Sequence, residues 1–423
     1  MTESLLDRRA RLLGPNMSTF YADPVHIVRG QGVWLWDAQG RKYLDCYNNV
    51  PHVGHCHPHV VEAIARQAGT LNTHTRYLHD GILDYAERLT ATFQGGLDTV
   101  IMVCTGSEAN DIALRMGQAA TGKTGVIATD NTYHGNTALV SQLSAKKPPI
   151  GGYAPNVRLV PSPDSLRPLG GSMGAQAQVF AGHVERAVAE LVEAGHGFAS
   201  LILCPFFANE GFPDLAPGFL DPTVAVVRKA GGLVIADEVQ PGFGRLGSHM
   251  WGHQRIGMAP DIVTIGKPMA NGHPVAAVVA RADINQAFRE AFGYFNTFGG
   301  NPVSCAAAMA VLDVLEEEKL VSNAAETGEY ALERLKALKH PKIGQVRGAG
   351  LFFGVEFVRD GSEPDPEFTA SVVEAMKAHG ILLNRLGRHY NCLKIRPPMP
   401  FSRENADRLV DTLASVLNGS DVA

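Results

Sequence analysis

Six short runs of almost unbroken apolar residues punctuate the chain: 100–105, 125–129, 200–204, 232–236, 262–265 and 275–280. Polar and apolar residues do not alternate within them, which is the pattern of strands covered on both faces. Between several of these runs lie stretches with helical spacing, at Glu108–Ala120, Val184–Ala194 and Pro222–Ala230. The alternation predicts an α/β domain over residues 61–303, with a mostly parallel central sheet flanked by helices. Reactive groups are then expected on the loops beyond the strand ends.

Residues 145–180 are dense in Pro, Gly and Ser, as in Lys147-Pro-Pro-Ile-Gly-Gly, and read as a long loop or lid. Past residue 300 the pattern changes. An Ala-rich helix at Ser304–Glu318 and an amphipathic one at Ala324–Leu338 precede a strand pattern within Gly350–Val358 and a helix from Phe368 to Gly380. A last helix is expected behind Ser402 as N-cap, ending at Gly419. Residues 304–423 therefore form a smaller α+β domain. The first sixty residues, with Gly32-Val-Trp-Leu-Trp-Asp-Ala-Gln-Gly-Arg-Lys-Tyr, read as a hairpin-bearing segment that packs with it.

Composition narrows the function classes. A chain of 423 residues exceeds one hydrophobic core, and 45% hydrophobic with 19% charged residues describes an ordinary globular protein. A formal charge of −5 leaves no broad basic face for nucleic acid. No apolar run approaches the length of a membrane span, and the charged start Met1-Thr-Glu-Ser-Leu-Leu-Asp-Arg-Arg is unlike a signal peptide. Six cysteines scattered without CxxC spacing argue against a disulfide framework, so a cytoplasmic location is expected.

The candidate chemistry sits where two strand patterns end. Lys267 closes the run Asp261-Ile-Val-Thr-Ile-Gly, and Asp237 closes Leu233-Val-Ile-Ala. An amine and a carboxylate so placed suit pyridoxal 5'-phosphate (PLP): the amine forms a Schiff base with the aldehyde, and the acid keeps the ring nitrogen protonated. In Thr105-Gly-Ser-Glu-Ala-Asn110 a strand stops and a helix begins, with Ser107 able to cap it. Free N–H groups and the dipole at such a start hold a phosphate. Tyr133-His134-Gly135 follows another strand, where Tyr133 can lie flat on a pyridine ring with Val239 on its opposite face.

Competing patterns carry less. Gly242-Phe-Gly244-Arg-Leu-Gly247 matches GxGxxG, but Gln240-Pro241 intervene after the strand and no amphipathic helix opens there. His55, His57 and His59 alternate as ligands on a strand do, yet Pro58 interrupts them and neither HExxH nor paired cysteines support zinc. A hydrogen-bonded loop is the expectation, with no metal.

With these motifs in view the chain resembles the class III PLP-dependent aminotransferases of fold type I, over nearly its whole length. The resemblance runs through Gly54-His-Cys-His-Pro, Cys104-Thr-Gly-Ser-Glu-Ala-Asn, Tyr133-His-Gly, Ala236-Asp-Glu-Val-Gln-Pro-Gly-Phe-Gly-Arg, Lys267 and Phe295-Asn-Thr-Phe-Gly-Gly-Asn-Pro. It implies that Lys267 is the Schiff-base lysine, Asp237 the pyridinium partner and Gln240 a neighbour of the ring hydroxyl. Gly106 and Ser107 hold the phosphate, and Tyr133, His134 and Val239 complete the cofactor site. Thr297 is implied to reach the cofactor phosphate of a partner subunit, which makes a homodimer the smallest active unit.

Within the family, Asn48–Val61, Leu71–Asp80, Gly266–Ala276 and His389–Met399 are similar to ethanolamine-phosphate phospho-lyases. One departure stands out. Where the family carries an acid at the end of the strand preceding Asp237, this chain has Cys204-Pro205-Phe206, and Glu210-Gly211 replaces a usual Gly-Gly. In aminotransferases that acid helps a mobile arginine accept substrates with and without a second carboxylate, so its loss weakens dual-substrate transamination without demonstrating lyase chemistry. The resemblance implies elimination of phosphate from phosphoethanolamine or a related O-phospho amino alcohol, with amino-group transfer to a keto acid as the alternative. A lyase needs donors aimed at the leaving phosphate. The candidates are Arg76, Lys394 and Arg396, with His52 as an acid.

Overall fold

The apolar runs become strands because each has a covered surface on both sides. The computed structural model describes residues 3–144 and 148–419. Its central sheet has seven strands, in the order Thr99–Val103, Ala276–Ala280, Ile262–Ile265, Leu233–Asp237, Ser200–Leu203, Val126–Thr129 and Val157–Val160. The five from Ile262–Ile265 onward run parallel, while Ala276–Ala280 is antiparallel to both its neighbours. Successive side chains leave opposite faces of a strand. Val126, Ala128, Ile202 and Ile235 accordingly meet Ile112 and Ala113 of helix Gly106–Thr121. Ile127, Leu201, Leu203 and Val234 share the other core with Phe180 and Val184 of helix Met173–Glu193. Fully burying a Leu, Ile or Val side chain stabilises by about 1.5–3 kcal/mol, so a strand between two helix layers gains at every position and needs no polar face.

The region expected to be one loop is corrected. Val157–Val160 adds an edge strand to the sheet, and a helix capped by Ser172 starts at Met173. Four residues containing Arg158 are too short and too polar to stand out, and the first turns of the helix, Met173-Gly-Ala-Gln-Ala-Gln, carry no clear stripe. Residues 145–147 of the expected loop lie outside the described residues.

The smaller part brings the two ends of the chain together. Ile27–Gln31, Trp34–Asp37 and Lys42–Asp45 form an antiparallel sheet that Ile381–Leu382 extends in parallel. A second antiparallel sheet runs Ile343–Ala349, Phe352–Phe357, Cys392–Lys394, Asn384–Leu386. Helices Pro302–Glu317, Leu320–Ala337, Pro366–Ala378 and Arg403–Asn418 fill out this half. Pro58, which interrupts the histidine alternation, is the first residue of helix Pro58–Ala68. Each histidine faces a carboxylate: His55 Asp45 at 2.7 Å, His57 Glu318 at 2.9 Å and His59 Asp313 at 3.0 Å. The glycines of the GxGxxG match serve packing. A Cβ on Gly244 would lie 2.4 Å from Val321 and one on Gly247 2.6 Å from Ala325, both on helix Leu320–Ala337. No helix among the described residues is long and apolar enough to cross a membrane.

Strand Phe352–Phe357 lies against the strand ending in Lys394. A Cβ on Gly354 would sit 2.0 Å from the Leu393 carbonyl oxygen and 2.6 Å from the Phe212 ring. Gly354→Ala is expected to lower stability by about 1–3 kcal/mol, read as a lower urea midpoint at unchanged denaturant slope.

Candidate active site

Strand register assembles the site at the carboxyl ends of the sheet. Asp237 closes its strand opposite Thr264, and Lys267 opens a short 3-10 turn just beyond Ile265. Nearby, strand Thr99–Val103 turns into helix Gly106–Thr121. Thr105, not Ser107, is the N-cap. Its hydroxyl accepts from the Glu108 N–H at 3.2 Å, while Glu108 Oε2 accepts from the Thr105 and Cys104 N–H groups at 2.9 Å each. This capping box leaves the N–H groups of Gly106 and Ser107 without intrahelical acceptors, at the positive end of the helix dipole. The loop carrying Tyr133 crosses directly above: a Cβ on Gly135 would lie 2.6 Å from Ser107 Oγ, and the Asn136 N–H donates to that oxygen at 3.1 Å. The close approach needs glycine.

The Asp237 carboxylate is buried and held by three donors. Oδ2 accepts from His134 Nδ1 at 2.6 Å and Asn110 Nδ2 at 3.0 Å, and Oδ1 accepts from the Val239 N–H at 3.0 Å. Thr264 donates to Asn110 Oδ1 at 2.6 Å, and this orients the amide with its nitrogen toward the acid. Because a carboxylate only accepts, His134 carries a proton on Nδ1, and its other nitrogen shares a hydrogen bond with the Thr132 hydroxyl at 3.0 Å. The sequence motifs contain Asn110 and Thr264 without giving either a role. The available signal is a polar Asn on the apolar stripe Ala109, Ile112, Ala113 of its helix.

Gly106, Ser107, Tyr133, His134, Asp237, Val239, Gln240 and Lys267 all line one cavity of about 260 Å³. The donor set fits PLP: backbone N–H groups at a helix start for a phosphate, a buried acid for a ring nitrogen, an aromatic and a valine for the two ring faces, and an amine. Lys267 is accessible through this cavity. Burial among protein atoms nevertheless lowers its pKa from the usual lysine range, and the positive charge of Arg396 lowers it further, against the opposing pull of Asp237. Cys204 lines the cavity where the family acid was expected, and burial, then the charges of Asp237 and Glu210, push its thiol well up, so it stays neutral. Glu210 is itself buried and pushed up by desolvation, accepting from the Thr129 hydroxyl at 2.6 Å.

Two of the candidate phosphate-binding residues converge on Gln240, which lines the cavity, from behind it; like Arg76 and Thr297, neither lines the cavity itself. Lys394 Nζ donates to Gln240 Oε1 at 3.0 Å, and Arg396 Nη1 donates to the same oxygen. Both partners are donors only, which leaves no choice of amide orientation. The Gln240 nitrogen then donates to Asn209 Oδ1 at 3.2 Å. His52 is corrected as an acid. It is fully buried, takes a hydrogen bond from Arg245 at 3.0 Å on Nδ1 and gives one to the Phe243 carbonyl at 2.7 Å, and burial drives its pKa well down. Neither ring nitrogen remains for a substrate. Arg76 and Thr297 do not line the cavity of a single chain. Arg76 stacks 3.9 Å from the centre of the Phe295 ring, and Thr297 is exposed two residues beyond it.

Comparison with known proteins follows the same geometry. The class III aminotransferase family model matches residues 18–417. A Drosophila melanogaster protein named alanine–glyoxylate aminotransferase 2-like is 44% identical, over 95% of this chain and 84% of its own length. Ethanolamine-phosphate phospho-lyase homolog 1 of Caenorhabditis elegans is 38% identical over 98% of this chain and 93% of its own. The solved structure of an Arthrobacter phospholyase in complex with phosphoethanolamine is 44% identical, with a TM-score of 0.94 over 98% of this chain and 99% of that one.

The electrostatics of Lys267 can be tested directly. In cofactor-free protein its acylation, followed by mass spectrometry across pH, is expected to have a midpoint below the ordinary lysine value of 10.5. Arg396→Gln removes a positive neighbour that disfavours the ammonium, so the midpoint should move up. An unchanged midpoint in that variant contradicts the assignment.

Proposed function

Because the chain belongs to the class III aminotransferase family, whose members depend on PLP, we propose that it is a phospho-lyase. In this reading it eliminates phosphate from phosphoethanolamine, or a closely related O-phospho amino alcohol, to give an aldehyde, ammonia and inorganic phosphate. The observation that carries the proposal is the pairing of two cationic side chains on one neutral oxygen: Lys394 and Arg396 both spend a donor on Gln240 Oε1. An anion between two buried cations gains a direct charge–charge attraction that a neutral amide oxygen does not supply, so it can displace that oxygen. The likeness to the phosphoethanolamine-bound phospholyase supports the same substrate class.

Gly106 and Ser107 would hold the cofactor phosphate, Tyr133 and Val239 the ring faces, Asp237 the ring nitrogen and Lys267 the aldehyde carbon. When bound, PLP supplies an electron sink for the carbon next to the substrate nitrogen. Lys267, its pKa lowered, serves as the base that takes the proton from that carbon. Asn110 and His134 hold and aim Asp237 by donating to one of its oxygens. Lys394 and Arg396 then meet the negative charge that grows on phosphate as its C–O bond breaks. Water replaces nitrogen on the released product, which accounts for aldehyde and ammonia.

A second reading is amino-group transfer between an amine and a keto acid, and the 44% identity to a relative named as an aminotransferase favours it. The two differ only in whether Lys267 returns its proton before the neighbouring carbon loses phosphate. The neutral Cys204 at the cavity wall leaves Arg396 without a carboxylate there, which favours substrates that always bring an anion.

The proposal includes a second copy of the chain. Tyr77, Leu78 and Phe298 are 66%, 98% and 69% exposed, an apolar strip beside Thr297, Phe295 and Arg76. A twofold partner covering that strip would bring Thr297 to the neighbouring phosphate cradle.

Incubation with phosphoethanolamine and no keto acid is expected to release phosphate and ammonia in equal amounts over many turnovers, and Lys267→Ala to abolish both. Turnover that requires pyruvate or 2-oxoglutarate assigns the chain to transamination instead. Mixing inactive Lys267→Ala with inactive Thr297→Asp subunits should restore activity, since hybrid dimers contain one site with both residues intact. Absence of complementation, with hybrids confirmed by native mass spectrometry, removes Thr297 from the partner's site.

A further inference from the structure

Arg396 reaches Gln240, on the cavity wall, from a short segment that follows strand Cys392–Lys394, and its orientation is set from outside that segment. Its backbone N–H donates to the Cys46 carbonyl at 2.7 Å, and its Nε donates to the Tyr47 carbonyl at 3.3 Å. Its guanidinium carbon lies 5.4 Å from the centre of the Tyr47 ring. With Nε occupied on that side, the other edge of the planar fork faces Gln240. The carbonyls of residues 46 and 47 therefore aim the cation.

Those carbonyls are held by a residue that never touches Arg396. Asp45, only 1% exposed, ends strand Lys42–Asp45, and its Oδ1 accepts from the N–H groups of Tyr47 at 3.0 Å and Asn48 at 2.9 Å. A carboxylate bonded to the backbone two and three residues ahead forms a local turn that fixes the intervening peptide planes. Its other oxygen accepts from His55 Nε2 at 2.7 Å, and His55 is braced on Gly30, where a Cβ would lie 2.9 Å from the histidine Cβ. The turn is thus tied to two neighbouring elements.

Asp45 also bears on the charge. Arg245 and Arg396 are both buried, and among the described residues their hydrogen-bond partners are the Leu351, Pro397 and Tyr47 carbonyls, His52 and Gln240, none of them a carboxylate. Burial lowers Arg396 to about 10, and Tyr47 and Asp45 act in the opposite direction. Asp45 likewise opposes the lowering of Arg245 by burial and by Arg396.

We propose that Asp45 is a positioning residue for substrate-anion recognition: it fixes the Tyr47–Asn48 turn that aims Arg396 at Gln240 on the cavity wall, and it supplies a buried acidic group behind that cation. The inference rests on the reading of Arg396 as a contact for the substrate phosphate.

The test is binding of inorganic phosphate to the PLP-loaded protein by calorimetry, paired with the KM and kcat for phosphoethanolamine, in a double-mutant cycle with Arg396→Gln. Asp45→Ala removes acceptor and charge, and is expected to weaken phosphate binding roughly tenfold, the size of one hydrogen bond to a charged group. Asp45→Asn keeps an acceptor for the Tyr47 and Asn48 N–H groups and should recover part of that loss. The effect is expected in KM more than in kcat, with the cofactor absorbance unchanged. In the Arg396→Gln background neither Asp45 substitution should weaken phosphate further, because the group it positions is gone. Equal losses in both backgrounds overturn the inference, since a general loss of fold integrity adds while positioning does not. No loss on Asp45→Ala overturns it as well. If Arg396→Gln itself leaves phosphate binding unchanged, the assignment of Arg396 to the substrate phosphate fails instead. Should Asp45→Ala prove insoluble, the isosteric Asp45→Asn replaces it in the cycle: a loss confined to the Arg396 background supports the inference, and an equal loss in both backgrounds, or none, overturns it.

Discussion

A carboxylate taken out of water at the end of a strand must be held by donors, and the architecture of this protein answers to that demand at Asp237. Its three partners come from three separate places: His134 from the loop after Val126–Thr129, Asn110 from helix Gly106–Thr121, and the Val239 N–H from its own turn. Thr264 on the adjacent strand orients Asn110 in turn. An unpaired buried charge costs several kcal/mol, so strand order, helix position and loop path around Asp237 are mutually constrained. The same constraint places the amine of Lys267 and the open N–H groups of Gly106 and Ser107 around one cavity.

The cavity is electrically asymmetric. On one side it carries the acid Asp237, and behind Gln240 on its wall Lys394 and Arg396 donate to a neutral amide. Desolvation and Arg396 together depress the Lys267 ammonium, which raises the fraction of neutral amine near neutral pH, and in the proposed function the same cation meets an anion on the substrate. The orientation of that buried arginine depends on carbonyls at residues 46 and 47, near the opposite end of the chain.

Much of this was legible in the sequence because it rests on local chemistry. Unbroken apolar runs marked the inner strands, and the residues just past their ends marked the acid, the amine and the Gly106–Ser107 helix start that share the cavity. The features that were not legible share a different character. The edge strand Val157–Val160 has a partner on one side only and so carries little apolar signal. His52 qualifies as an acid by its imidazole alone, whereas its two ring nitrogens are taken by Arg245 and Phe243, about 190 residues away. Ser107 resembles the cap, but the box formed by Thr105 and Glu108 sets the helix start two residues earlier.

From its order of residues alone, the chain determined which segments could be buried on both faces and which side chains ended them, since hydrophobic periodicity and turn chemistry act over a few positions. Tertiary structure decided which of those side chains share a cavity, how the amides of Asn110 and Gln240 point, and that Asp45 stands behind Arg396. Those outcomes depend on hydrogen bonds and fields between groups far apart along the chain. Neither has a period that a linear pattern can record.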